Sequence, residues 1–256
     1  MTRGPSHLLD AAGAVRERLA QGTPAIIALD FDGTLTEIVD DPAAPRLTAE
    51  RRRILERIPS AGRRLAIVSG RALEDVRDRV GVADAVYVGN HGLEIEGPGL
   101  AAGSEKHAEI AGRLRTLLGE LELPEGAFSE NKRLTATIHT RPREDMDLHA
   151  RLGRELRPVV EKAGFRLHRG KASWEIRPAE ARDKGGALRA LIDRVPGASE
   201  ETTLYAGDDV TDEDAFRALP LGITIRVGEN QSESAARFRL GSPAELYRFL
   251  ELLAAG

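Results

Sequence analysis

Ala25-Ile26-Ile27-Ala28-Leu29-Asp30-Phe31-Asp32-Gly33-Thr34-Leu35 is the most informative stretch of the chain. Its first five residues are apolar without alternation, which suits a strand covered on both faces in a parallel sheet. The acids that follow leave the strand at its C-terminal end, where open α/β sheets collect ligands. Working outward, the pattern predicts a helix over 8–19 before the strand. After it come a helix over 48–58 with Thr48 as N-cap, a strand over 64–68, a helix over 71–80 and a strand over 85–88. This alternation is the mark of a doubly wound sheet.

The order then changes. Residues 92–103 are Gly-rich around Pro98 and read as a boundary or a hairpin. Beyond them lie a helix over 105–121, a strand over 134–139, a helix over 144–163 and strands over 165–168 and 172–176. The α/β rhythm resumes after Pro178, with helices over 184–195, 212–219 and 243–254 and strands over 202–206 and 222–227. The expected fold is therefore α/β: a doubly wound parallel-sheet core made of 1–98 and 178–256, holding an inserted small α+β cap of 99–177.

Composition narrows the function classes. Of 256 residues, 41% are hydrophobic and 30% charged, enough apolar content for a sizeable core. Acids outnumber bases 41 to 37, which argues against nucleic acid or an anionic membrane as partner. Cysteine is absent, so disulfides, thiolate metal sites and cysteine nucleophiles are excluded together. No apolar run approaches the roughly 18 residues of a membrane span. The first 21 residues carry charges throughout and lack the apolar centre of a signal peptide. A soluble, cytoplasmic monomer acting on a small molecule is the expectation.

Chemistry-bearing residues gather at strand ends. Asp30 and Asp32 place like charges together in a partly buried crevice, which calls for a cation or a shared proton. Hard oxygen donors favour Mg²⁺. Gly207-Asp208-Asp209 follows another strand, and Asp208 is the expected third metal ligand. Thr211, Glu213 and Asp214 read as helix-capping residues. Ser69-Gly70-Arg71 opens a helix after a strand and supplies a hydroxyl and free N–H groups for an anion. Lys184-Gly185-Gly186 opens another helix and supplies a cation.

Taken together and in this order, these motifs resemble the haloacid dehalogenase superfamily of aspartyl phosphatases, whose core is Rossmann-like. The resemblance implies Asp30 as nucleophile, Asp32 as general acid/base, and Ser69 and Lys184 as phosphate holders. It further implies Mg²⁺ on Asp30, on the backbone carbonyl of Asp32 and on Asp208, with Asp209 and Asp212 behind these ligands. Gly33, Arg71 and His91 are expected to line the substrate.

The inserted segment narrows the resemblance. Ser129-Glu130-Asn131-Lys132-Arg133, His139-Thr140-Arg141 and Gly170-Lys171-Ala172-Ser173-Trp174-Glu175-Ile176-Arg177-Pro178 look like the trehalose-6-phosphate phosphatase family, as do Asn90-His91-Gly92 and 208–216. That likeness implies that Glu130, Lys132 and Glu175 bind sugar hydroxyls, with Arg141 also at the substrate. Thr140 and Asn90 depart from the family's pattern. Alternation places Trp174 opposite Glu175, in a packing role. The remaining histidines, His7, His107, His149 and His168, are expected at the surface. Two other readings stay open: a phosphatase for sucrose phosphate or a glycosyl-glycerate phosphate, and a non-catalytic sugar-phosphate sensor.

Overall fold

The computed structural model describes residues 5–21, 25–39, 44–100, 105–140, 146–170, 173–179, 181–229 and 233–255. In chain order the elements begin with β1 (Ser6–His7), α1 (Ala12–Gln21), β2 (Ile26–Asp30), α2 (Ala49–Ser60), β3 (Arg64–Val68), α3 (Leu73–Val80), β4 (Val86–Gly89) and β5 (Glu94–Glu96). Next come α4 (Glu105–Glu120), β6 (Ala127–Asn131), β7 (Ala136–Thr140), α5 (Met146–Lys162), β8 (Phe165–Arg169) and β9 (Ser173–Pro178). The chain closes with α6 (Lys184–Arg194), β10 (Thr203–Gly207), α7 (Glu213–Ala218), β11 (Ile223–Val227), β12 (Phe238–Leu240) and α8 (Pro243–Ala254).

Cα packing divides the chain into two compact units, Met1–Ala102 with Arg182–Gly256, and Gly103–Ala181. Each crossing falls four residues later than the sequence-based boundaries. The larger unit holds one eight-stranded sheet in the order β1-β12-β11-β10-β2-β3-β4-β5. All neighbours are parallel except β4 and β5. Two apolar layers flank it. Ile27 and Leu29 of β2 belong to one, with residues of α1, α2, α3 and α8; Ile26 and Ala28 belong to the other, with α6 and α7. A strand apolar on both sides is thus covered on both sides, as its unbroken run requires.

The smaller unit is an antiparallel sheet, β6-β7-β9-β8, with α5 packed on one face. Alternation along β9 buries Trp174, Ile176 and Pro178 and leaves Ser173, Glu175 and Arg177 half-buried on the other side. Among the described residues, no helix is long and apolar enough to cross a membrane.

Several expectations shift. The helix expected over 8–19 opens as a tight 3-10 turn, Leu8–Ala11, before α1, and the two-residue strand β1 precedes it. Strands β1, β6 and β12 have no counterpart in the sequence reading, and β5 falls within the stretch read as a boundary or a hairpin, paired antiparallel with β4. β1, β5 and β12 have at most three residues, and β6 shows no buried position in five, so none carries a periodic apolar signal. His149, expected at the surface, is buried, because it stacks on Trp174 at 4.9 Å between ring centres.

Candidate active site

Four segments of the larger unit converge beyond the C-terminal ends of β2, β3 and β10 and the start of α6. The loop after β2 folds back on itself: Leu35 and Thr36 both donate backbone N–H groups to the Phe31 carbonyl, at 3.0 and 3.1 Å. Gly33 makes that turn with φ +82°, a conformation few L-residues adopt. A Cβ there would lie 2.1 Å from a carboxylate oxygen of Asp208. The glycine therefore lets the β2 and β10 loops meet.

Asp30 sits buried at the base of the site. The Lys184 ammonium donates to Asp30 at 2.8 Å and to Asp212 at 2.6 Å, with all three side chains almost sealed from solvent. Lys184 is the first residue of α6, whose N-cap Asp183 accepts from Gly186 N at 2.6 Å. A lysine at this end opposes the helix dipole, and the two carboxylates offset that penalty. Asp212 uses both oxygens. One takes Lys184 and the Tyr205 hydroxyl, the latter at 2.6 Å; the other takes the backbone N–H groups of Asp208 and Asp209. Asp209 in turn caps the short turn that carries Asp212.

Electrostatics show what the pocket lacks. Oxygen atoms of Asp30, Asp208 and Asp212 all lie within 4.8 Å of one another. One ammonium cannot neutralise three carboxylates. Burial, reinforced by Asp212 and Asp208 and opposed by Lys184, pushes the Asp30 carboxyl well above the usual range. Burial and Asp212 push Asp208 up to about 6, against the pull of Lys184 and of the Thr34 hydroxyl, 3.2 Å away. Asp212 goes the other way: burial would raise it, but Lys184, Tyr205 and the backbone hold it low. Burial works against the Lys184 ammonium too, and the carboxylates overcome it. An all-oxygen cluster short of positive charge fits a hard divalent cation.

Asp32 stands apart from this cluster. Arg71 grips both its oxygens at 2.7 Å and also reaches Asp75 at 3.1 Å. Ser69 is buried after β3, its hydroxyl accepting from Arg71 N at 3.2 Å. His91 lies against the same turn, since a Cβ on Gly70 would fall 2.5 Å from its ring. Its own turn is strained: Asn90 and His91 have φ of 48° and 56°, followed by Gly92 at 100°.

Of the residues expected at the substrate, the structure brings Gly33, Ser69, Arg71 and His91 into the larger unit with the acids. Glu130, Lys132 and Glu175 belong to the smaller unit. There Glu130, Thr137 and Glu175 are register partners across β6, β7 and β9 and share one face. His139 contacts Glu130 at 2.9 Å, and Arg177 contacts Glu175 at 2.5 Å. Lys132 follows β6, its N–H bonded to the Thr135 carbonyl at 2.8 Å. Arg141 lies outside the described residues.

Tyr205 was not legible as a site residue. In sequence it is one more apolar position of a buried strand, and only the fold aims its hydroxyl at Asp212. Tyr205→Phe is expected to cost about 1.5–3 kcal/mol in urea unfolding, the range for a hydrogen bond to a charged group. It should also lower kcat several-fold with KM little changed, because Asp212 would hold Lys184 less firmly.

A family model described as trehalose-phosphatase matches residues 28–244. A trehalose-phosphate phosphatase of Mycobacterium marinum is 37% identical over 268 residues, spanning 98% of this chain and 67% of the relative. The trehalose 6-phosphate phosphatase RA3 of Zea mays is 34% identical over 262 residues, spanning 92% and 71%. Among solved structures, the C-terminal domain of a C. albicans trehalose-6-phosphate phosphatase matches with a TM-score of 0.76. It is 22% identical and covers 99% of this chain and 98% of that one, a likeness of fold.

Proposed function

The chain belongs to the trehalose-phosphatase family, and from that membership we propose that it hydrolyses trehalose 6-phosphate to trehalose and phosphate. The observation that carries the reading is the buried cluster of Asp30, Asp208 and Asp212 around Lys184. Asp30 is the proposed nucleophile: its carboxylate oxygen bonds to phosphorus while the bond from phosphorus to the sugar oxygen breaks. Asp32 gives a proton to that leaving oxygen. It then takes one from the water that hydrolyses the aspartyl-phosphate and restores Asp30. Ser69 and Lys184 hold the phosphoryl oxygens.

Arg71 adds a condition. A carboxylate with both oxygens held by a guanidinium cannot also carry a proton, so Arg71 must release Asp32 before the leaving oxygen is protonated. The anionic substrate gives Arg71 another partner.

Mg²⁺ is the proposed cofactor, held by Asp30, Asp208 and the backbone carbonyl of Asp32. Asp212 is a supporting residue, since both its oxygens are already engaged. When bound, the ion offsets the charge that keeps an anionic nucleophile from an anionic phosphate. In the smaller unit, Glu130, Lys132, Glu175 and Arg141 are the proposed sugar contacts, which makes that unit the substrate-selecting cap. The row of Glu130 and Glu175 on one sheet face supports this, as carboxylates suit sugar hydroxyls.

Phosphate release from trehalose 6-phosphate, sucrose 6-phosphate, glucose 6-phosphate and p-nitrophenyl phosphate, with Mg²⁺ and then with EDTA, tests the proposal. Trehalose 6-phosphate should be turned over fastest, and EDTA should stop turnover. A preference for sucrose 6-phosphate would keep the chemistry and remove the sugar assignment; no release at all would remove both. The metal assignment also has a pH signature. Asp208 is raised when folded, so its contribution to stability is full below the unfolded pKa and is lost as pH rises through about 6. Mg²⁺ favours the ionised cluster, so the rise in Tm that it produces should grow from about pH 5 to about pH 7.5.

A further inference from the structure

The smaller unit carries a solvent-open cleft of about 540 Å³, lined in part by Trp174, which lies on the sheet face opposite Glu175, and by the exposed side chains of Arg154, Arg157, Glu161 and Arg169. Three guanidinium groups border it: Arg154 and Arg157 from α5 and Arg169 from the end of β8. Arginines on a helix are ordinarily paired one turn away, as Arg151 is with Glu155 at 4.0 Å and Arg157 with Glu161 at 3.5 Å. Arg154 breaks that pattern. The positions one turn before and after it hold Ala150 and Pro158, which line the same cavity. Neither Arg154 nor Arg169 has an acidic partner among the described residues.

The floor is built from a stacked pair of rings. Trp174 Nε1 donates to the His149 carbonyl at 2.9 Å, the two rings stack 15° from parallel, and the Arg157 guanidinium covers the Trp174 ring at 5.9 Å. His149 is buried, neither ring nitrogen has a hydrogen-bond partner among the described residues, and burial and the Arg169 charge lower its pKa. Among the described residues that line it, three guanidinium groups stand against the single Glu161 carboxylate, an excess of two positive charges.

We infer that this cavity binds a small organic phosphate, its phosphoryl group held by Arg154 and Arg169 and its body lying along the Gly153–Pro158 wall. Guanidinium forks match phosphate oxygens in pairs, which a solvated lysine does not. The volume falls within the roughly 300–1,000 Å³ of small-molecule sites and exceeds what an inorganic anion fills. Sugar phosphates and nucleotides share this chemistry. The site stands independently of the phosphatase assignment.

Trp174 is the chain's single tryptophan, so its fluorescence reports on this cavity. Full-length protein in EDTA would be titrated with glucose 6-phosphate, adenosine 5′-monophosphate and inorganic phosphate. A saturable change is expected with at least one of the two esters, and whichever gives it names the source. Arg154→Ala with Arg169→Ala should weaken that titration at least about tenfold, while hydrolysis of trehalose 6-phosphate, with neither glucose 6-phosphate nor adenosine 5′-monophosphate added, stays within about twofold. Glu161→Gln, which removes the opposing charge, should tighten it. A flat response to both esters up to about 10 mM would overturn the inference. So would saturation by inorganic phosphate alone, or an unchanged titration in the arginine variant. A signal lost in Lys184→Ala but kept in the arginine variant would assign it to the acidic site and overturn the inference likewise.

Discussion

Replacing Asp30 by asparagine is expected to abolish phosphate release, by about 10⁴-fold or more, while the protein stays folded. The amide cannot form the aspartyl-phosphate, yet its oxygen can still accept from Lys184, which lies 2.8 Å from the native carboxylate. Stability should hold or rise. In the metal-free protein the ionised Asp30 opposes folding, because burial and its acidic neighbours push its carboxyl well above the usual range. The sign follows: the Asp30 contribution is full below the unfolded pKa and disappears as pH rises. Asp30→Asn should therefore match or exceed the wild-type Tm in EDTA at neutral pH. Assays with trehalose 6-phosphate alongside thermal unfolding check both parts. Residual turnover near wild type would remove the nucleophile assignment, and a collapsed Tm would mean that the carboxylate is needed for folding.

Lys184→Met is expected to have the largest effect on stability. Breaking a buried pair from one side typically costs about 3–5 kcal/mol, because the remaining charges stay uncompensated. Here Asp30, Asp208 and Asp212 would share a pocket without any cation, and activity should be lost as well. The pH dependence also changes. Asp212 is held low in the wild type, so its contribution is present above the unfolded pKa and lost as pH falls through the folded value. Without Lys184 that support is gone, burial raises all three carboxyls, and the variant should gain stability as pH falls. Urea unfolding of both proteins in EDTA across pH measures this, and parallel curves would contradict the pairing. Added Mg²⁺ should recover part of the loss, since it supplies the missing positive charge.

Local signals carried much of this protein. Residues 25–29 are apolar on both faces, and a strand of that kind can be stable only between two covered faces, so the doubly wound sheet was legible from a few short runs. Asp30, Asp208 and Lys184 were legible because each sits where a strand ends or a helix begins and because they occur together in one order along the chain. Trp174 was placed on the buried side of β9 by alternation alone. What the sequence could not express were contacts set by long-range packing. Asp32 looks like a member of the acidic cluster, yet Arg71, 39 residues away, turns its carboxylate aside. Tyr205 becomes a site residue because β10 points its hydroxyl at Asp212. His149 is buried because β9 brings Trp174 beneath α5. Glu130 and Glu175, 45 positions apart, come onto one sheet face on either side of Thr137 through the register of β6, β7 and β9. The division has one physical cause. Periodicity and strand-end chemistry are fixed by neighbours along the chain. Which buried charge meets which partner depends on how strands far apart in sequence align, and only the folded structure decides that.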